Sequence, residues 1–436
     1  MGAVTGGALT GALRRNWGWL LVLSCVPLLA TKTLFNLPVA VMAAVGAVRL
    51  ARTPRRYLHD PALRLLFLLF LCFWVPMWLS LPDAADPRRS FSTTLIWLRF
   101  PLAAVFVRDV LREEAARRRL LWGTGAVVCA WSLDALVQLA AGANLLGYPY
   151  NGYRLTGVFH PKLRLGTVTA VFVPVCLAWA RAAAEGRRWL WLPLLAPVFA
   201  AVLLSGNRTG WAMLAVGLAL YGAHRLLAAR PGVGLRRGAA LLAVLGLTAA
   251  AALQHQPFRE RLGTTLGGLA SGSWERVDEA TGGRLSIWTT TLDMARAHWL
   301  NGVGPRGFRR LYLQHADPRD TLAAAGIVPT HPHQFVLEIL VETGVLGLLG
   351  YLAFWGVLLA RLGSALWRSE AAAPWLAGAV VAAFPLNVHM AIYASYWSTV
   401  LWWLLAVGVA VAVRPPAQQE GAAGPSYRHA HPHSAA

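Results

Sequence analysis

Long apolar runs separated by short polar turns dominate the chain. They fall near residues 17–30, 35–50, 63–80, 91–108, 119–141, 163–181, 189–204, 209–225, 237–253, 333–360, 373–389 and 394–413. This pattern predicts an all-α polytopic membrane protein of about twelve transmembrane helices, because a bilayer core of about 30 Å takes about 20 apolar residues in helical form. Several runs are shorter, so the first two also read as a tilted pair or a re-entrant hairpin. Between Leu253 and Pro329 the apolar runs stop, over a length typical of a functional segment rather than a plain connection. The expected division is transmembrane helices over 1–253, a loop domain over 254–332, further transmembrane helices over 333–413, and a disordered cytoplasmic tail over 414–436 rich in Pro, Ala and Gly.

Composition agrees with the pattern: 57% of the 436 residues are hydrophobic, 14% are charged and 20 are tryptophan. The excess of basic residues, 40 Lys+Arg against 19 Asp+Glu, is explained without nucleic acid. Alternate turns carry arginines such as Arg49, Arg52, Arg55, Arg56, Arg117, Arg187 and Arg230. The positive-inside rule puts those turns, and both termini, in the cytoplasm beside anionic membrane lipids. Cys25, Cys72, Cys129 and Cys176 lie inside apolar runs and read as packing residues, with neither disulfide nor metal spacing. Trp397, Trp402 and Trp403 read as part of an interfacial belt.

The most informative stretch is PTHPHQFVLEILVETGVLGLLG, residues 329–350. A helix entering a bilayer normally sheds charge, since an ionised side chain at its centre costs about 2.5–3.5 kcal/mol, yet this one keeps Glu338 and Glu342. Pro332 suits a first helical turn, which sets His331 and His333 at the helix mouth. There the macrodipole disfavours imidazolium, leaving a neutral base. Gln334, Glu338 and Glu342 share one face, and Gly344, Gly347 and Gly350 form a small-residue stripe for close helix approach.

Arginines also collect on the expected far side, against the topological bias, and their planar forks suit phosphate. Arg208 sits in the turn SGNRTG between two runs. Arg284 opens a helical pattern in which Leu285, Trp288, Leu292, Ala295 and Trp299 form the expected apolar face, followed by Asn301-Gly-Val-Gly304. Arg154 lies in NGYRLTGVFHPKLRLG near Lys162 and Arg164, which also read as headgroup anchors. Arg88 and Arg99 flank a loop with Asp83 and Asp86, whose D-x-x-D spacing reads as surface ion pairs rather than a metal site. No metal or other cofactor is implied.

In order over residues 205–350, the Ser-x-x-Arg-Thr turn, Arg284-x-x-x-Trp288, Gly-x-Gly, and His333-Gln followed by Glu342-x-Gly-x-x-Gly resemble the O-antigen ligase and polymerase superfamily. Gln334 stands where that family usually has Asn. The resemblance implies a GT-C-like glycosyltransferase. Its donor would be undecaprenyl-pyrophosphate-linked O-antigen and its acceptor lipid A-core, at the periplasmic face of the bacterial inner membrane. It further implies His333 as general base, with Glu338 or His331 orienting it. Arg208 and Arg284, with Arg154, Arg88 and Arg99, would hold pyrophosphate. Alternatives are an O-antigen polymerase, a protein O-oligosaccharyltransferase, or, from a different class, a multi-span transporter using Glu338 and Glu342 as ion sites.

Overall fold

A computed structural model describes residues 17–228, 242–243, 245–250, 252–318 and 320–413. The first half is a run of helices: α1 (Trp17–Leu28), α2 (Asn36–Arg52), the single turn α3 (Pro54–Leu58), α4 (Pro61–Leu79), α5 (Pro87–Trp97), α6 (Arg99–Val110), α7 (Glu114–Ala141), α8 (Leu165–Ala184), α9 (Trp191–Leu204) and α10 (Arg208–Ala228). After these come the loop helices α11 (Gln256–Ser271), α12 (Trp274–Thr281), α13 (Arg284–Ala297), α14 (Phe308–Leu311) and α15 (Thr321–Ala324), then α16 (Phe335–Arg368), α17 (Ala373–Ala383) and α18 (Ser395–Ala412). No strand occurs among the described residues, only an isolated bridge between Ala143 and Pro149. Among the described residues six spans can cross a bilayer by length and composition, namely α4, α5 with α6, α7, α8, α16 and α18, and α1, α9 and α17 are shorter apolar helices. Eleven of the twelve apolar runs overlap helices α1, α2, α4 to α10 and α16 to α18, run 373–389 only as far as Ala383; run 237–253 falls partly, and tail 414–436 wholly, outside the described residues.

Helix starts follow from local chemistry. Asp60 caps α4, with Pro61 next and Oδ1 accepting the Ala62 N–H at 2.9 Å; Asp86 caps α5, with Pro87 next and Oδ1 accepting the Arg89 N–H at 3.2 Å. The centre of the bundle is α8, α17 and α18, which pack on one another and are buried around nearly their whole circumference, as all-apolar helices must be. Trp397, Trp402 and Trp403 are 1%, 4% and 5% exposed, so they belong to this centre and not to an interfacial belt. Backbone acceptors inside the bundle make that possible: the Trp397 and Trp403 indoles donate to Ala382 O and Val22 O, each at 2.9 Å.

At one end of the bundle, Arg108 is wholly buried. It pairs with Asp60 at 3.0 Å and donates to the carbonyls of Ala410 and Val413 at the C-terminus of α18. At the other end the described residues of segment 252–334 pack against α16 through α13 and α14, and this is called the loop end below. Ile287, Met294, Ala295, Val303, Phe308 and Tyr312 form its small core with Val341. The buried face of α13 is thus Ile287, Thr290, Thr291, Met294 and Ala295, while Leu292 and Trp299 are exposed. The expected apolar face is corrected here because threonines bury well once their hydroxyls are paired; Thr291 Oγ1 donates to Ile287 O at 2.6 Å.

The loop is keyed into α16 at a break. Gly344 is non-helical, with φ 65° and ψ −164°, which frees backbone groups that must be satisfied elsewhere. The segment 299–303 supplies the partners. Val345 N–H donates to Trp299 O at 2.8 Å, Leu346 N–H to Leu300 O at 3.3 Å, and Val303 N–H to Val341 O at 2.9 Å. The three glycines read as one stripe therefore do different things. Gly344 makes room for the Leu300 carbonyl and Gly350 for the Cys72 carbonyl of α4, whereas Gly347 faces Thr343 of its own helix.

Candidate functional site

Three of the expected arginines, Arg99, Arg208 and Arg284, stand at the first position of a helix, where the macrodipole repels a cation. The turn before α10 is locked from below. Buried Asn207 accepts the Gly210 N–H at 3.3 Å and donates to Thr167 Oγ1 of α8 at 2.8 Å. Gly166 and Gly210 lie so close that a side-chain carbon on Gly210 would fall 3.0 Å from the Gly166 backbone. Arg208 projects from this fixed turn and is half-buried. Arg284 opens α13 after two glycines at φ 76°. Asp278 pins that start by accepting the Leu285 N–H at 2.8 Å and the Ser286 hydroxyl at 3.1 Å.

Arg154 follows an Asn151 turn, in which the Asn151 side chain accepts the Arg154 N–H at 2.8 Å. Buried Gln138 of α7 holds the next residues through the Thr156 and Gly157 N–H groups, at 3.0 and 2.8 Å. The structure brings these three arginines together. Burial first, and then the charges of Arg208 and Arg154, push the Arg284 guanidinium down to about 10. Among the described residues neither Arg284 nor Arg154 makes an ion pair. Arg88 is exposed in the first turn of α5. Arg99 begins α6 with its guanidinium 4.8 Å from the Phe100 ring and its Nε and Nη2 buried without partners. Neither is among the charges found to act on Arg284 or His333.

The histidines occupy a short irregular segment rather than a helical turn. α16 starts at Phe335 with Gln334 as its cap, accepting the Leu337 N–H at 2.6 Å, so Pro332 lies outside the helix. His333 adopts left-handed backbone, φ 55°. The segment is clamped on two sides. The Trp288 indole of α13 donates to Pro332 O at 3.1 Å, while Gln334 Nε2 donates to Pro385 O at 3.2 Å and Phe335 N–H to Asn387 O at 3.2 Å.

The rings of His331 and His333 are 3.9 Å apart. His333 is lowered to about 4, by burial first and then by the charges of Arg284 and His389. To the expected influence of the helix mouth the structure adds burial and a neighbouring guanidinium as causes of a neutral histidine. His331 is held well below its ordinary value by burial, then by His333 and Arg306. Nδ1 of His333 is buried without a hydrogen-bond partner in the protein, an uncommon condition that a ligand relieves.

Two residues of this neighbourhood were not singled out by sequence. The run 373–389 is helical only to Ala383, and the irregular return that follows carries His389. Its Nε2 donates to Leu163 O at 3.0 Å, and burial followed by Arg284 lowers it to about 4. Pro385 and Asn387 inside an apolar run were the available signal. Arg306 is the other: it counts among the far-side arginines in the sequence but had no role of its own there, and its N–H is held on Glu342 Oε2 at 2.7 Å. Glu338, expected beside His333, spends both oxygens on the same return, accepting the Ile392 and Tyr393 N–H groups at 3.0 and 3.2 Å.

Fold and site together define a polytopic α-helical membrane protein whose loop end gathers three guanidiniums and three imidazoles. Residues 192–352 match the family model described as O-Antigen ligase, a segment that contains Arg208, Arg284, His331, His333, Glu338 and Glu342. This is the ligase and polymerase superfamily that the motifs resemble. No curated protein matches the chain.

Proposed function

We propose that the protein is an O-antigen ligase, with about twelve spans in a GT-C-like arrangement and its loop end in the periplasm of the inner membrane. The donor is glycan on undecaprenyl pyrophosphate and the acceptor a sugar hydroxyl of lipid A-core. One observation carries the reading. Arg154, Arg208 and Arg284 share a neighbourhood with a histidine that stays neutral because Arg284 and burial disfavour its protonated form.

In the reaction His333 accepts the proton of the attacking hydroxyl as its oxygen bonds to the anomeric carbon. The bond from that carbon to the pyrophosphate oxygen breaks, and the electron pair leaves with the pyrophosphate. Arg208, Arg284 and Arg154 stabilise the negative charge that grows there, and the two helix starts act on the same anion. Attack from the face opposite the leaving group inverts the anomeric centre. The guanidiniums supply the positive charge, so the reaction is proposed to be independent of metal. Glu338 serves as a positioning residue, fixing the His389 return that clamps the histidine segment.

The test is transfer by the purified full chain in nanodiscs with both lipid substrates, with and without EDTA, beside His333→Ala. Product that survives EDTA and vanishes in the variant, while donor binding persists, is the expected result. Lengthening of the lipid-linked glycan instead of transfer to lipid A-core would make it a polymerase. Transfer to serine or threonine of a protein would indicate the O-oligosaccharyltransferase, and movement of donor lipid between leaflets without product a transporter.

A further inference from the structure

A second group of arginines lies at the loop end, where the turn between α4 and α5 meets segment 303–310. The junction is rigid. Ala85 N–H donates to Val303 O at 2.9 Å, Ser90 Oγ to Pro305 O at 3.0 Å, and Arg306 N–H to Glu342 Oε2 at 2.7 Å. Gly304, at φ 80°, is pressed against Ala84 and Ser90, so a side chain there would force the two segments apart. Arg306 itself holds left-handed backbone at φ 68°, which is strained for a long side chain and points to a functional constraint.

The charges of Arg306, Arg309 and Arg310 all act on Arg89. Asp86 pairs with Arg310 at 2.9 Å, and its charge also acts on Arg89. Among the described residues Arg89, Arg306 and Arg309 make no ion pair. All three are half-buried, and Nε of Arg309 is buried with no hydrogen-bond partner. Fixed backbone that gathers four guanidiniums around the carboxylate of Asp86 leaves an excess of positive charge that suits an anionic ligand. This group also reaches the histidine pair, since the charge of Arg306 acts on His331 as that of Arg284 acts on His333.

We propose that Arg89, Arg306 and Arg309 form a second anion-binding surface that receives phosphate groups of the acceptor saccharide and brings its hydroxyl to His333. The identity of the acceptor rests on the ligase reading; the anion surface does not.

The test uses the full chain in phosphatidylcholine nanodiscs, with lipid A-core either phosphorylated or chemically dephosphorylated. Removing the phosphates should raise the wild-type acceptor KM about tenfold, the worth of one charge-assisted hydrogen bond. Arg309→Gln and Arg89→Gln should show that higher KM on the phosphorylated acceptor and no further rise on the dephosphorylated one, with donor KM unchanged. Arg309→Lys should recover part of the loss, which a folding defect would not. Equal wild-type KM for the two acceptors, an equal loss by the variants on both, or an effect confined to nanodiscs containing phosphatidylglycerol would overturn the proposal; the last would assign the arginines to membrane headgroups. If the wild type transfers nothing, the ligase reading fails by itself. Direct binding of the two acceptors to wild type and Arg309→Gln then decides: selective, arginine-dependent binding upholds the surface, and indifference to phosphate refutes it.

Discussion

Replacing Arg284 by Gln separates the two things asked of this residue. As a pyrophosphate ligand its loss removes a charge-assisted contact, which lowers kcat/KM by at least about tenfold. As the charge beside His333 its loss also moves a titration. His333 lies at about 4 against an ordinary 6.5, a bias against imidazolium of about 3 kcal/mol. Burial is the larger cause and remains in the variant, so removing the charge should raise this pKa by only about one unit. The sign follows from the role: a base must be neutral, so activity is retained above its pKa and falls as pH drops through it. The acid limb of kcat/KM, which reports the free enzyme, should lie near pH 4 in the wild type and about one unit higher in Arg284→Gln. The assay is initial-rate transfer between pH 3.5 and 8 in nanodiscs, with thermal unfolding measured at each pH to exclude denaturation. A wild-type limb at the ordinary histidine value, or a variant whose profile is lower but identical in shape, would refute the coupling between Arg284 and the base.

Further outcomes follow from other contacts. His333 and His389 both have pKa values depressed to about 4, so the unfolded chain binds protons first as pH falls below 6.5. Each should remove about 1.4 kcal/mol of stability per pH unit between 6.5 and 4; His389→Gln should flatten the decline of Tm in that window. Gly344→Ala puts a side chain against the Leu300 carbonyl at a backbone angle of φ 65°, and should cost at least about 2 kcal/mol. It should also increase hydrogen exchange of Val345 and Leu346, whose N–H groups bond to segment 299–300. Glu338→Leu orphans the buried Ile392 and Tyr393 N–H groups, at about 1–3 kcal/mol each. Glu338→Gln keeps an acceptor and should retain most of both Tm and rate; a rate lost with Tm intact would give Glu338 a role in the chemistry itself. Arg99→Met removes a cation whose Nε and Nη2 are buried without partners and should raise Tm by a few degrees, with transfer slowed only if Arg99 touches the donor.

The helices were legible because a bilayer demands long apolar runs; Glu338 and Glu342 stood out as residue types that such runs normally exclude, and motif order pointed to Arg208, Arg284 and His333 as candidates. What stayed hidden had physical reasons. The histidine segment was read as helical because Pro332 suits a first turn, but its cap is Gln334, and the left-handed backbone of His333 leaves no trace in composition. His389 was concealed inside run 373–389, since the return after Ala383 is apolar enough to pass for helix. The tryptophans were assigned to an interface on type alone, whereas carbonyls inside the bundle satisfy Trp397 and Trp403. Asn301-Gly-Val-Gly304 looked like any glycine turn, and its use, satisfying the backbone freed by a break more than forty residues later, depends on a contact that no local pattern encodes.

The local rules are broken at the places where chemistry is proposed. Arg208 and Arg284 stand at helix starts that repel them, each at about 0.3–1 kcal/mol. His333 and Arg306 hold left-handed backbone, and Arg89, Arg306 and Arg309 crowd like charges together. None of this helps the empty protein fold. In the proposed reading each conflict is relieved by negative charge arriving at the loop end: pyrophosphate between Arg208 and Arg284, phosphate on the second arginine group. Substrate binding should therefore stabilise the fold as well as start the reaction. A rise in Tm with inorganic pyrophosphate that disappears in Arg284→Gln is the expected sign, and an unchanged Tm at saturating pyrophosphate would mean that these cations are answered by something other than the donor.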